Sequence, residues 1–296
     1  MIANWMLNRL RAELEKKWEV TIPSIGVLLQ LADLKQVIIP SSLIFYEGNP
    51  VVRQYFGVQD QTITTKQHVL QLAASLVHKN QHPIFQSIRH AAAENGLSPR
   101  EVDGDVLENL GSIGRIDHVL YVLGNEQLMN QQEIELGVTV QTLAHQFELD
   151  GKYTLFLAQK HPKRLLAIFA CEYELKTESA PVVSALSQMQ IELVLLTSVK
   201  TRIAKGLGNR LGISLIHSEL SEQEKERIAQ RLVQQQPASA ILVGEDHGSF
   251  GAALTIGIGN KHSVISLPSL TALPAFIESI QTSVKAVHSR LPFSKF

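Results

Sequence analysis

Cysteine is almost absent from this chain: Cys171 is the single one in 296 residues. That excludes an internal disulfide framework and fits a reducing compartment. An excess of either charge is lacking as well. Lys and Arg together number 27 against 28 for Asp and Glu, a formal net charge of -1. No basic surplus is therefore present to hold nucleic acid or an anionic membrane. No apolar run approaches the roughly 20 residues that a membrane-spanning helix needs. Met1 to Val20 carries Arg9, Arg11, Glu13, Glu15, Lys16, Lys17 and Glu19, which is not the apolar stretch of a secretory signal. These absences predict a soluble, cytoplasmic protein.

Apolar residues make up 45% of the chain, enough for one large core or two ordinary ones. Residues 4–19 read as an amphipathic helix, with Trp5, Leu10, Leu14 and Trp18 at near-helical spacing. That stripe packs on its own domain or serves as a docking helix with two tryptophan anchors. Val37-Ile38-Ile39 reads as a buried strand stopped by Pro40, and Glu47-Gly48-Asn49-Pro50 as a turn. Helices are predicted over 66–79 and 83–95, the second closed by Gly96. Short strands near 113–116 and 118–123 flank Asp117.

The second half alternates. Strands are predicted at Thr154–Ala158, Leu165–Phe169, Leu193–Thr197, Leu215–His217, Ala240–Val243 and Val264–Leu267, with helices over 178–189, 201–211, 221–235 and 273–287. Ser221 followed by Glu224 is a capping-box pattern. Such alternation implies an α/β fold with a parallel sheet covered on both faces. The strand before Pro40 is expected to join that sheet, which makes the intervening segment an insertion. The expected domains are a helix at 1–21, a discontinuous α/β domain at 22–50 and 151–290, and an inserted α+β domain at 51–150.

The order of these segments resembles the cytoplasmic part of P-type ATPases, most closely the heavy-metal-transporting branch. Val37 to Val52 sits where that family has a strand, its phosphorylation motif DKTGT and a turn. Gln81-His82-Pro83-Ile84 with Ala91 to Leu97 is similar to the His-Pro motif of the nucleotide-binding domain, and Val122 to Asn125 to that domain's strand ending. Leu195-Leu196-Thr197 with the helix to Ile213 resembles the TGD region, Glu224-Lys225 the conserved lysine segment, Val243 to Leu254 the GDGxND loop, and Val264 to Ala275 the closing strand and helix. The resemblance covers nearly the whole chain. It implies a three-layer, haloacid dehalogenase (HAD)-like Rossmannoid domain with an inserted nucleotide-binding-type domain.

The family's chemistry needs an aspartate at the end of the first strand, which attacks phosphorus and becomes an acyl phosphate. Aligned on Gly48-Asn49-Pro50, that position is Pro40, which has no nucleophilic atom. Ser41, Ser42, Leu43 and Ile44 replace KTGT. A serine nucleophile would need a neighbouring base, and none is near in sequence. Thr197 survives from TGD, but Ser198 and Val199 replace the rest. Lys225 survives where the family neutralises phosphate charge, and reads here as a solvated lysine on a charged helix. Glu245 and Asp246 keep acidity in a shifted loop, read as solvated acids rather than a magnesium site. The nucleotide remnants are His82, Pro83, Gly111 and Gly114, with Val77 where the family has a glutamate. His82 has a plainer role open to it, capping the helix that Pro83 starts. His68, His78, His82 and His90 read as structural, no metal or cofactor is assigned, and Cys171 is expected buried and inert.

The expectation is a non-catalytic pseudo-ATPase that acts as scaffold or adaptor in a multi-subunit protein assembly. It binds no nucleic acid, and its docking candidates are the N-terminal helix and the tail from Arg290 to Phe296. A bacterial type IV secretion coupling complex is one assembly such a chain could serve, as a cytoplasmic subunit recruited to a membrane-associated complex, although no residue argues for it. Two other readings stand beside this one: a regulator that binds ATP through the insert, and a residual HAD-type phosphatase.

Overall fold

The computed structural model describes residues 2–44, 50–58, 65–107, 110–244, 253–260, 263 and 265–290. The chain forms two compact units, one of Met1–Tyr46 with Leu175–Phe296 and one of Glu47–Glu174. In chain order the first unit opens with α1 (Ile2–Trp18), α2 (Ile25–Ala32) and β1 (Gln36–Pro40), followed by a single 3-10 turn, Ser41–Leu43. The second unit contains β2 (Val51–Gly57), α3 (Lys66–Leu76), α4 (Pro83–Glu94), β3 (Asp103–Leu107), β4 (Gly111–Ile116), β5 (Val119–Gly124), α5 (Glu126–Gln131), α6 (Val138–Leu149), β6 (Tyr153–Gln159) and β7 (Arg164–Glu172). The first unit then resumes with α7 (Ser179–Gln188), β8 (Glu192–Leu196), α8 (Thr201–Leu211), β9 (Leu215–His217), α9 (Glu222–Gln235), β10 (Ser239–Val243), β11 (Thr255–Ile258), β12 (Ile265–Leu267) and α10 (Ala272–Arg290).

The first unit is built on a parallel sheet in the order β12-β11-β10-β1-β8-β9. β1 lies inside it, paired with β10 and β8, and every one of its residues is buried. Side chains alternate along a strand. Val37 and Ile39 thus join the large cluster formed with α1, α2, α7 and α10, while Ile38 joins Val194, Ile241 and Ala229 of α9 on the other face. This is the three-layer α/β arrangement that the alternation implied.

The second unit has an antiparallel sheet in the order β2-β7-β6-β5-β4-β3. One face packs on α3 and α4, the other on α5 and α6. Here the structure corrects the sequence reading. The strands expected at Thr154–Ala158 and Leu165–Phe169 in the parallel sheet are β6 and β7, which pair antiparallel with each other. The expected boundary at residue 150 accordingly lies after Glu174. The link between these strands is too short for a parallel crossover, which takes a dozen or more residues. β7 is buried from Leu165 to Glu172 because helices cover both faces of its sheet, so it reads as the continuous apolar run of a parallel strand.

The docking stripe needs a second correction. Leu7 and Leu14 are buried in the first unit's core, and the Trp18 ring meets Phe276 of α10 edge-on, centroids 5.6 Å apart. Leu14 and Trp18 are therefore packing residues. Leu10 is partly buried and Trp5 is 63% exposed. Residues 47–49 of the expected turn and 291–296 of the tail lie outside the described residues. Among the described residues no helix is long and apolar enough to cross a membrane.

Leu14→Ala should remove about 2–5 kcal/mol from the first unit, the usual cost of a core truncation. Trp5→Ala should stay within about 0.5 kcal/mol, as exposed substitutions do. Urea unfolding followed by circular dichroism checks both, and equal effects would contradict this packing.

Candidate functional site

In open α/β sheets, ligands bind beyond the carboxyl ends of the strands. β1 and β8 run in register to Pro40 opposite Leu196, and β10 ends at Val243. That edge gathers Pro40, Thr197 and Gly244 in the first unit, so the structure brings together what the sequence separates by two hundred residues. Pro40 supplies neither a side-chain heteroatom nor an N–H. Ser41 is half-buried and Ser42 exposed, and neither hydroxyl bonds another described residue, so no described residue stands to either as a base.

Thr197 is buried, and its hydroxyl oxygen accepts the N–H of Val199 at 3.2 Å. Its own N–H donates to His217 at 2.9 Å. Lys225 is not the solvated lysine expected: it is only 9% exposed, and its ammonium donates to Glu222 at 2.6 Å. A buried ammonium is costly without a counter-charge, and the first turn of its own helix provides one. The predicted capping box at Ser221 and Glu224 is present and fixes that turn. Leu43, where the resemblance puts a glycine, is buried, and its Cδ2 lies 3.4 Å from where a Cβ on Gly244 would stand. Buried Asn260, unmarked in the sequence, donates to the Gly244 carbonyl at 2.8 Å. Glu245 and Asp246 lie outside the described residues.

Magnesium takes carboxylate oxygens. Pro40 offers none, and the Glu222 carboxylate is engaged by Lys225. The described residues of this edge therefore do not fit that ion, and no group of three or more His, Cys, Asp or Glu placed to hold a metal occurs among the described residues.

In the second unit His82 is the N-cap of α4, with Pro83 as its first residue. Nδ1 of His82 accepts the Ile84 N–H at 3.2 Å, and the ring meets Phe85 edge-on. The His82 N–H donates to Asn80 Oδ1 at 3.0 Å, and the Asn80 amide reaches the Gly111 carbonyl at 3.4 Å. His82, Pro83 and Gly111 are thus joined through buried Asn80, which the sequence reading missed. Arg89 braces the same turn by donating to the carbonyls of Val77, His78 and Asn80. Val77 is fully buried in the apolar core.

The two glycines have structural grounds. A Cβ on Gly111, whose φ is +151°, would lie 2.0 Å from the Leu123 carbonyl oxygen, so the strand approach itself demands glycine. Gly114 sits apart, further along β4 opposite Tyr121. A Cβ there would meet Val102 at 2.5 Å and Leu76 at 3.2 Å, so the protein's own side chains fill the space over it. Cys171 is fully buried, and burial pushes its thiol up to about 12, far from the thiolate that reactivity needs.

Desolvation holds His82 below the ordinary histidine value. Its neutral ring is the capping form, since Nδ1 accepts a hydrogen bond. Stability from this group is present above the unfolded pKa of about 6.5 and is lost as pH falls toward the lower folded value. His82→Asn should keep the cap and flatten the second unit's stability loss between about pH 7 and 5, the residual slope belonging to His68, whose pKa burial and then Arg100 lower. His82→Ala should cost about 1 kcal/mol at neutral pH. Urea titrations at a series of pH values test this, and an unchanged slope in His82→Asn would refute it.

The haloacid dehalogenase-like hydrolase family model matches residues 43–247. The copper-exporting P-type ATPase of Legionella pneumophila is 27% identical over 214 residues, 72% of this chain and 28% of that protein. Its counterpart in Staphylococcus aureus strain bovine RF122 is 28% identical over 213 residues, 72% of this chain and 25% of its own. The chain thus spans about a quarter of the length of these curated relatives. A zinc-transporting PIB-type ATPase in the E2.Pi state superimposes with a TM-score of 0.70 at 19% identity, over 97% of this chain and 47% of that one. The catalytic domain of a CPx-ATPase gives a TM-score of 0.60 at 20% identity, over 92% of this chain and 99% of that one.

Proposed function

The chain belongs to the haloacid dehalogenase-like hydrolase family, with homology to the cytoplasmic domains of heavy-metal P-type ATPases, and on that premise we propose that it is a non-catalytic member whose work is binding within a larger protein assembly. One observation carries this reading: the last residue of β1, beyond which ligands bind in such sheets, is Pro40. Acyl-phosphate chemistry begins with an anionic oxygen at such a position. Without it the covalent route is closed, and charge stabilisation nearby has no transition state to act on.

The neighbouring residues support the same view. Lys225 is matched by Glu222, the Thr197 hydroxyl is turned onto its own backbone, and Leu43 packs toward Gly244. Each now stabilises the protein itself. The insert remains folded around the His82 cap, but Val102 and Leu76 occupy the space over Gly114, which favours a structural domain over an ATP sensor. Copper export is the activity of the longer relatives. The role proposed for this chain is that of an adaptor, and identified partners decide which assembly it serves, a secretion complex among them.

Incubation with γ-labelled ATP and magnesium, followed by an acid quench, should leave no hydroxylamine-labile phosphoprotein, and a generic phosphate ester should not turn over. Stoichiometric partners should accompany the tagged chain from native extract. A labile acyl phosphate, or a chain that stays at monomer size in that extract, would overturn the corresponding half of the reading.

A further inference from the structure

α1 lies along α10 in the first unit. Toward the end of α1 the contact is closed, by Trp18 on Phe276 and by Lys17, which donates to Ser279 at 3.1 Å. Toward its start lies a trough of about 370 Å³, whose lining includes Trp5, Met6 and Leu10 from α1 and Ala286 and Val287 from α10. Trp5 is 63% exposed there, the most exposed large aromatic among the described residues. Tryptophans in such positions concentrate at binding hot spots.

The rim is charged, and unequally. Arg9 stands over the Trp5 ring at 5.9 Å and pairs with Glu13 at 3.0 Å. Glu13 is the only acid among the described lining residues and already pairs with Arg9, so none of them matches Arg290 at the end of α10. The last turn of α10 carries His288 and Arg290, and the first turn of α1 has no acid. Apolar side chains exposed between two helices suit a third helix, whose side chains can enter the groove. A cationic rim selects acidic flanks on that helix and repels basic ones.

We propose that the α1–α10 trough is the docking surface for an amphipathic helix of a partner protein, with an apolar stripe seated on Trp5 and Leu10 and an acidic residue facing Arg290. This deepens the adaptor reading and rests on it. The mechanism is burial of the exposed indole together with neutralisation of the rim. The half-buried Trp18 end of α1 takes no part.

A photo-crosslinking amino acid in place of Trp5, in the full chain irradiated in native extract, tests this. Mass spectrometry should locate adducts on a helical segment of another protein with apolar residues at i, i+3, i+4 spacing and acidic flanks. A synthetic peptide of that segment should shift the Trp5 fluorescence of a Trp18→Phe chain to the blue. Arg290→Glu should weaken that binding about tenfold, the scale of one lost interface contact, and Arg290→Lys should restore it. Adducts on residues 291–296 of the same chain, on a second copy, on lipid or on a basic segment would each overturn the proposal. Partners that co-purify without an adduct at position 5 would sink the trough and leave the adaptor reading standing. No partner and no adduct would sink both.

Discussion

The first unit depends on one strand. β1 bonds to β8 and β10, buries every residue, and sends side chains into the clusters on both faces of the sheet. A proline inside such a strand would break its ladder. Pro40 is tolerated because it is the last residue, where pairing with β10 has already ended at Ile38. The place where the fold can accept a residue without an N–H is also the place where chemistry would need a carboxylate. A proline at this position is thus compatible with full retention of the sheet.

The same logic runs through the neighbouring positions. A buried lysine, a buried threonine hydroxyl and an open glycine carbonyl all carry unmet polar demand. Here Glu222, the Val199 N–H and Asn260 meet those demands from within. Lys225 with Glu222 is held on one helix turn, a spacing at which side chains face each other. These three polar groups, among the described residues of this edge, are thus satisfied from within the unit.

The insert follows its own rule. Its sheet is antiparallel and covered on both faces, and it needs polar braces where chain turns are buried. Asn80 and Arg89 do this beneath the His82 cap, and the Gly111 backbone lies too close to Leu123 for any side chain. The remnants that resemble a nucleotide site are each accounted for by local packing or capping.

Much of this was determined by local sequence. Pro40 after an apolar triplet marks a strand end, Ser221 with Glu224 marks a helix start, and Pro83 after His82 marks another, because capping and proline geometry depend on residues within one turn. The alternation of strands and helices likewise implied the parallel sheet. Only the tertiary structure decided the rest. β6 and β7 read as parallel-sheet strands because burial on both faces erases the period-two pattern that distinguishes the two kinds of sheet. Leu14 and Trp18 looked the same as Trp5 along α1, yet Leu14 is buried in the core and Trp18 packs on Phe276, far along the chain, while Trp5 stays at the surface. Lys225 read as solvated because burial is a property of neighbours distant in sequence, and no local pattern records them.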